Sequence, residues 1–378
     1  MPTNLKDILD AGAARAIADD LHRVWPALDR AAFAADCLAG LDALELKARA
    51  WQIAAAMHRH LPQPFPLAAE VLGASLGAEL PQRELSGTST LRYLPHGCFV
   101  EKYGVDHFEE AMAVQYQLTK RFTAEFSIRA FLERYPGPTL ERLRIWATDE
   151  NVHVRRLVSE GTRPRLPWAR RLRAYQADPT PVVELLELLK DDPERYVQRS
   201  VANNLNDIGK DHPALVTEIC RRWLEDAPAG RRWIVGHALR SLVKKGDPQT
   251  LEALGFGGAP QVEIGSPTLT PRQVRLGEEL RFSFELTSTG RTAQELLVDF
   301  AVHFVGARGA SRRKVFKLRR VGLGPLETAH LAGTVSFAEM TTRKHYPGRH
   351  RIEVLVNGQA YPLASFDVLG SHAAATRR

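Results

Sequence analysis

Ile17, Leu21, Val24 and Leu28 recur at spacings of four, three and four, the apolar stripe of an amphipathic helix. Phe108, Met112 and Tyr116 repeat the pattern, and turn signals such as Pro62-Gln63-Pro64 and Pro136-Gly137-Pro138 separate such segments. No stretch of the first 258 residues alternates like a half-buried strand. After Leu254-Gly255-Phe256-Gly257-Gly258 the period falls to two. Alternating runs follow at Leu280–Leu286, Leu296–Val305, Lys314–Val321, Leu331–Phe337, Arg351–Val356 and Tyr361–Val368. With a first strand near Val262, these predict about seven short strands separated by Gly, Ser, Thr and Pro.

Within the helical part a weak repeat is visible. Val154-Arg155-Arg156-Leu157-Val158 is similar to Val197-Gln198-Arg199-Ser200-Val201 at an offset of 43, and Ile234–Leu239 to Val197–Ala202 at 37. Periods near 40 suit stacked helix pairs of the HEAT type, in which no pair buries its apolar face alone. An irregular helical bundle is the plainer alternative. The predicted fold class is an α-helical HEAT-like repeat solenoid followed by an all-β immunoglobulin-like sandwich that lacks the inter-sheet disulfide of antibody domains. Its expected boundaries are 1–258 for the helical domain, 259–370 for the sandwich and 371–378 for a disordered tail.

Composition is ordinary for a globular chain of 378 residues, with 44% hydrophobic and 25% charged positions. No apolar run approaches the roughly 18 residues that span a bilayer, and the N-terminal segment has acids where a signal core would be apolar. Three scattered cysteines, Cys37, Cys98 and Cys220, argue against a disulfide framework. A reducing bacterial cytoplasm is therefore expected. The net charge of +7 divides unevenly: −4 over 1–120, +4 over 121–258 and +7 over 259–378. Positive charge concentrated in the last two-thirds fits a surface that faces DNA.

Several segments resemble the AlkC branch of the AlkC/AlkD DNA glycosylases. They are Phe99-Val100-Glu101-Lys102-Tyr103-Gly104, Arg121-Phe122-Thr123-Ala124-Glu125-Phe126-Ser127-Ile128-Arg129 and the run from Trp146 through His153-Val154-Arg155-Arg156 to Glu160-Gly161-Thr162-Arg163-Pro164-Arg165-Leu166-Pro167-Trp168. Ser200-Val201-Ala202-Asn203-Asn204-Leu205-Asn206-Asp207 and Arg232-Trp233-Ile234-Val235-Gly236-His237-Ala238-Leu239-Arg240 complete the set. Ala130 stands where the family usually has Pro, and Ala124 where Ser is common; neither change removes a charge. The resemblance implies a concave basic solenoid that grips a lesion-bearing duplex. It implies excision of cationic bases such as 3-methyladenine and 3-methylcytosine without rotating the damaged nucleotide into a deep pocket, unlike most base-acting enzymes.

A base with a fixed positive charge is already a good leaving group. The catalyst must supply negative charge against the developing oxocarbenium, and a positioned water. The family's motif carboxylate falls on Glu125; read from spacing alone, Glu125 would form a helix ion pair with Arg129 at i+4. Asp207 closes a helix before Gly209, where the dipole disfavours an acid. From position alone it is equally a turn residue paired with Lys210; the resemblance of Asn203-Asn204-Leu205-Asn206-Asp207 to the family implies that it is the second carboxylate. Trp168 stands among Arg163, Arg165, Arg170, Arg171 and Arg173, five arginines in eleven residues with no acid. Such a cluster suits phosphates, with the indole available for stacking. Arg155, Arg156, Arg199, Arg232 and Arg240, with Asn203, are the expected phosphate-tracking row on successive helices, whereas Trp233 is expected in the core. A second basic run (Arg312, Arg313, Lys314, Lys317, Arg319 and Arg320) holds six bases in nine residues. It reads as a DNA clamp on the sandwich, or as protection of a sheet edge.

Metal-ligand spacings and a Walker loop are missing, His345 and His350 look incidental, and no lysine is placed for Schiff-base chemistry. The expectation is therefore a monofunctional hydrolase without cofactor or metal. It would act as a monomer on double-stranded DNA containing alkylated bases and have no membrane partner. A non-catalytic lesion-binding protein and a HEAT scaffold for protein partners are the competing readings.

Overall fold

The computed structural model describes residues 4–83, 88–307, 309–339 and 344–370. The segment 371–378, expected as a disordered tail, lies outside them. The first helices are α1 (Ala11–Val24), α2 (Arg30–Leu38), α3 (Leu46–His60), α4 (Phe65–Ser75), α5 (Leu94–Tyr103) and α6 (Phe108–Thr119). There follow α7 (Ile128–Arg134), α8 (Pro136–Trp146), α9 (Val152–Gly161), α10 (Arg173–Ala177), α11 (Thr180–Leu189) and α12 (Arg195–Ile208). The last are α13 (Pro213–Leu224), α14 (Ala229–Ala238), α15 (Arg240–Lys245) and α16 (Pro248–Ala253).

Two compact units result, Met1–Val216 with Trp223–Ala238, and Thr217–Arg222 with Leu239–Arg378. The change from helix to strand falls between Ala253 and Val262, while α15 and α16 group with the strands that follow them. None of the helices among the described residues is long and apolar enough to cross a membrane.

In the helical unit α9 packs on α12 and α12 on α14. The repeat positions Val154, Val197 and Ile234 are all fully buried, as a shared stacking position requires. Asn151 caps α9 by accepting from His153 and Val154 backbone N–H groups. A Cβ at Gly161 would lie 2.6 Å from Ile128 Cγ2, so glycine lets the end of α9 approach the start of α7. Two local expectations differ. Pro136-Gly137-Pro138 forms the first turn of α8 and not a separating loop, because proline at the first helical position gives up only an N–H that would be unpaired anyway. The first apolar stripe outruns its helix: α1 ends at Val24, and Leu28 is buried from the turn beyond it.

The strands of the second unit are β1 (Val262–Ile264), β2 (Thr268–Thr270), β3 (Gln273–Arg275), β4 (Glu279–Ser288), β5 (Gln294–Val305), β6 (Ser311–Leu323), β7 (Thr328–Ser336), β8 (Gly348–Val356) and β9 (Gln359–Leu369). In one sheet β4 pairs with β7 on one side and with β1 and β2 on the other. The second sheet runs β3-β9-β8-β5-β6. β2 and β3 went unforeseen because three residues are too few for alternation to show. On β4, Leu280, Phe282, Phe284 and Leu286 point inward to meet Phe300, Phe304, Phe337 and Phe366 in one core. His345 and His350 belong to the core of the sandwich. Both are buried among Phe304 and Phe337, and His350 also donates or accepts at both ring nitrogens, to Gly348 O and from Val305 N–H. Burial lowers the His350 pKa below the ordinary value.

Candidate active site

Glu125 does not sit on a helix. It lies in the turn that leads into α7, where its backbone N–H donates to Thr123 Oγ1 at 3.2 Å. Its carboxylate accepts from Thr123 Oγ1 at 3.0 Å and from Arg156 Nη1 at 2.8 Å. Both bonds fall on Oε2, and Oε1 holds none among the described residues. The side chain is 13% exposed. The helix pair with Arg129 does not form. Arg129 is buried, donating instead to the carbonyls of Gly161 at 3.1 Å, Arg163 at 2.8 Å and Arg170 at 3.1 Å. Burial brings its pKa down to about 10.

From Glu125 a chain of alternating charges runs inward. Arg156 bridges Glu125 to Glu160 Oε1 at 3.5 Å, and Arg163 donates to that same Oε1 at 2.7 Å. Ser200 donates to Glu160 Oε2 at 2.6 Å. Arg163 then meets Asp207 Oδ2 at 2.9 Å, and Lys210 caps Asp207 Oδ1 at 2.7 Å. The two expected carboxylates thus stand at opposite ends of one chain, with Glu160 between them. Burial alone would push the Glu160 carboxyl up; Arg156 and Arg163 outweigh it and hold Glu160 below its ordinary pKa. Burial would likewise lower Arg156 and Arg163, and their acidic neighbours raise both instead. Glu160 was missed as a site residue, although Arg156 stands four residues before it on the same face of α9 and Arg163 three after it, just beyond the helix end.

The carboxylates differ in access. Both Asp207 oxygens are engaged and its side chain is 3% exposed. Glu125 keeps an oxygen in reserve.

The loop 162–172 carries Trp168, whose side chain stands out at 61% exposure with a backbone φ of 65°. A left-handed conformation strains a bulky residue by about 1–3 kcal/mol, and Arg129 holds the loop through Gly161, Arg163 and Arg170. The acid-free arginine run acquires acids in the fold. Arg163 is buried against Glu160 and Asp207, Arg165 pairs with Asp211 at 2.5 Å, and Arg170 stands 3.4 Å from Glu133. Arg155 binds Asp192 at 2.6 Å and the carbonyls of Asp149 and Glu150. Arg199, Asn203 and Asp207 follow one another at i+4 on α12, exposed, half-buried and buried in that order. Arg232 is exposed on α14, and Arg240, half-buried, opens α15 in the second unit. Trp233 is half-buried rather than a core residue, with the Arg195 guanidinium 4.2 Å above its ring and His237 stacked on it.

On the sandwich, Arg312, Arg313, Lys314 and Lys317 are exposed along β6, an edge strand paired with β5. Arg313 pairs with Glu353, whereas Arg312 and Lys317 hold no ion pair among the described residues.

Residues 122–242 match the family described as DNA alkylation repair enzyme, and residues 263–370 match the C-terminal Ig-like domain of YhaZ. A protein of Bacillus subtilis (strain 168) named "Uncharacterized protein YhaZ" is 40% identical over 270 residues, covering 71% of this chain and 75% of its own. The structure of the Pseudomonas fluorescens alkylpurine DNA glycosylase AlkC, bound to DNA containing an abasic site analog, superposes with a TM-score of 0.88. It is 38% identical and covers 97% of this chain and 100% of its own. By these matches the chain belongs to the DNA alkylation repair enzymes, in their AlkC branch.

Proposed function

We propose that the chain is a DNA repair glycosylase that hydrolyses the N-glycosidic bond of cationic alkylated bases, among them 3-methyladenine and 3-methylcytosine, in duplex DNA. The observation that carries the reading is the carboxylate of Glu125, fixed through one oxygen and open at the other. As the bond to a cationic base lengthens, the deoxyribose becomes cationic while the base leaves as a neutral heterocycle. Glu125 Oε1 faces the sugar, stabilises that charge and orients the attacking water. Arg156 holds the carboxylate still through its hydrogen bond to Oε2. Asp207 serves the same site through Arg163, Glu160 and Arg156, as a positioning group at the buried end of the chain.

DNA contact falls to Trp168, Arg199, Asn203, Arg232 and Arg240, and to Arg312, Arg313, Lys314 and Lys317 on β6. Arg155, Arg156, Arg163 and Arg165 hold acids and loop carbonyls in place within the helical unit. The reaction needs only water and leaves an abasic site; the relative of known structure was captured on an analog of that product.

The test is chromatography of bases released from methylated DNA. Glu125→Gln, which keeps the shape and removes the charge, is expected to lower excision by roughly 10²-fold or more with DNA affinity within about twofold of wild type. Near wild-type release by this variant refutes the assignment. No release of base by the unsubstituted protein favours a lesion-binding protein without catalysis.

A further inference from the structure

A cleft of about 210 Å³ opens in the helical unit, beside the turn that carries Glu125. Trp51, Phe126 and Trp168 give it aromatic walls, and Phe126 directly follows Glu125 in the chain. Its polar groups include Glu101 and Arg170. Arg170 is 69% exposed and reaches Glu101 only at 3.7 Å, so Glu101 accepts no hydrogen bond among the described residues.

The charged groups facing Glu101 are Lys47 from α3, Arg129 and Glu133 from α7 and Arg170 from the loop. Its helix neighbour Cys98 is a thiol that burial pushes up to about 12. Burial raises Glu101 to about 7, Arg170 pulling it down and Glu133 pushing it up. A carboxyl titrating there offers, when protonated, an O–H donor beside a carbonyl acceptor. The adenine ring presents the complement, an exocyclic amino donor beside a ring-nitrogen acceptor. Departure of a cationic base leaves both bonding electrons on that base, so the released heterocycle is neutral and flat. It stacks on aromatic walls and needs no buried counter-charge.

We propose that this cleft binds the released alkylated purine, stacked against Trp51, Phe126 and Trp168 and hydrogen-bonded through its amidine edge to Glu101. The inference rests on the glycosylase reading, which supplies the ligand. It asks for no flipping of the intact nucleotide, since the base enters after its bond has broken.

The experiment titrates the full-length protein with free 3-methyladenine, read by tryptophan fluorescence and calorimetry. Saturable binding is expected, weakening by roughly tenfold between pH 6 and pH 8 as Glu101 ionises. Glu101→Ala is expected to weaken binding at pH 6 by roughly tenfold. Glu101→Gln, which keeps a donor and an acceptor, is expected to bind with that carboxyl's pH dependence removed. Absence of saturable binding to the unsubstituted protein overturns the inference. So does unchanged affinity in a Glu101→Ala variant that melts at the wild-type temperature. Base release from methylated DNA is measured on the same preparation. Release without binding of free base overturns the cleft alone, and binding without release overturns the glycosylase reading alone.

Discussion

Two arginine-rich stretches, 163–173 and 312–320, look alike along the chain and fare differently in the fold. In the first, Arg163 and Arg165 are taken up by Asp207 and Asp211, 44 and 46 residues away, as Arg155 upstream of the stretch is by Asp192 at 37. Those separations are close to the repeat period. Stacking one helical repeat on the next sets the acids of the later repeat against the arginines of the earlier one. An edge strand has a single neighbour and turns alternate side chains to solvent. On β6 Arg313 pairs with Glu353 of β8, and the other bases of the run stay exposed. The same residue type therefore supports an internal electrostatic frame in one unit and a positive surface in the other.

Removing Arg163 is the severest way to probe this contrast. Arg163→Ala takes one of three partners from buried Glu160 and one of two from buried Asp207, and is expected to cost about 3–5 kcal/mol. For a unit of this size that lowers the melting temperature by roughly 10 °C. A melting temperature within about 2 °C of wild type would show the chain of charges to be dispensable to stability.

Charge reversal on β6 should do the opposite. Arg312→Glu, Lys314→Glu and Lys317→Glu together are expected to change stability by under about 1 kcal/mol. DNA affinity should weaken by about tenfold or more, and the salt dependence should flatten by roughly 0.9 for each phosphate no longer neutralised. Unchanged affinity and slope in the triple variant would reduce the strand's charge to edge protection.

Asp207→Asn sharpens the contrast between the two carboxylates. It keeps the hydrogen-bonding shape and removes one charge from the buried end, so excision should fall less than in Glu125→Gln, by about tenfold. A loss equal to that of Glu125→Gln, in the same base-release assay, would place Asp207 beside the sugar as well.

Acid should separate the units by a smaller margin. Burial holds His96 down to about 3 and lowers His153 in the helical unit and His350 in the sandwich. His96 stays neutral when folded, and His153 and His350 take up a proton less readily than in the unfolded chain, which protonates below about pH 6.5. Stability is therefore complete above that pH and falls as pH drops, by about 1.4 kcal/mol per pH unit for a fully depressed group such as His96. Hydrogen exchange at pH 7, 6 and 5 is expected to show the helical unit weakening faster than the sandwich. Equal losses in both would assign the acid sensitivity elsewhere.

Glu125 was reached through its motif, since its spacing alone suggested only a pair with Arg129. That pair fails because Arg129 turns inward to the carbonyls of Gly161, Arg163 and Arg170, none of which leaves a trace in side-chain composition. Glu160 stood within a family motif yet drew no role, because its importance lies in touching Arg156, Arg163 and Ser200 at once. Glu101 and the cleft were illegible for the same reason: Trp51, Phe126 and Trp168 share a wall only after the helices pack.

What the sequence determined by itself was periodicity and its consequences. A spacing of three and four gives helices, a spacing of two gives strands, and a repeat near 40 gives stacked layers, because each follows from backbone geometry and the burial of apolar faces. What only the tertiary structure decided was which charges meet. An ion pair depends on distances of a few ångströms between residues about 40 apart, and that is fixed by how one layer seats on the next.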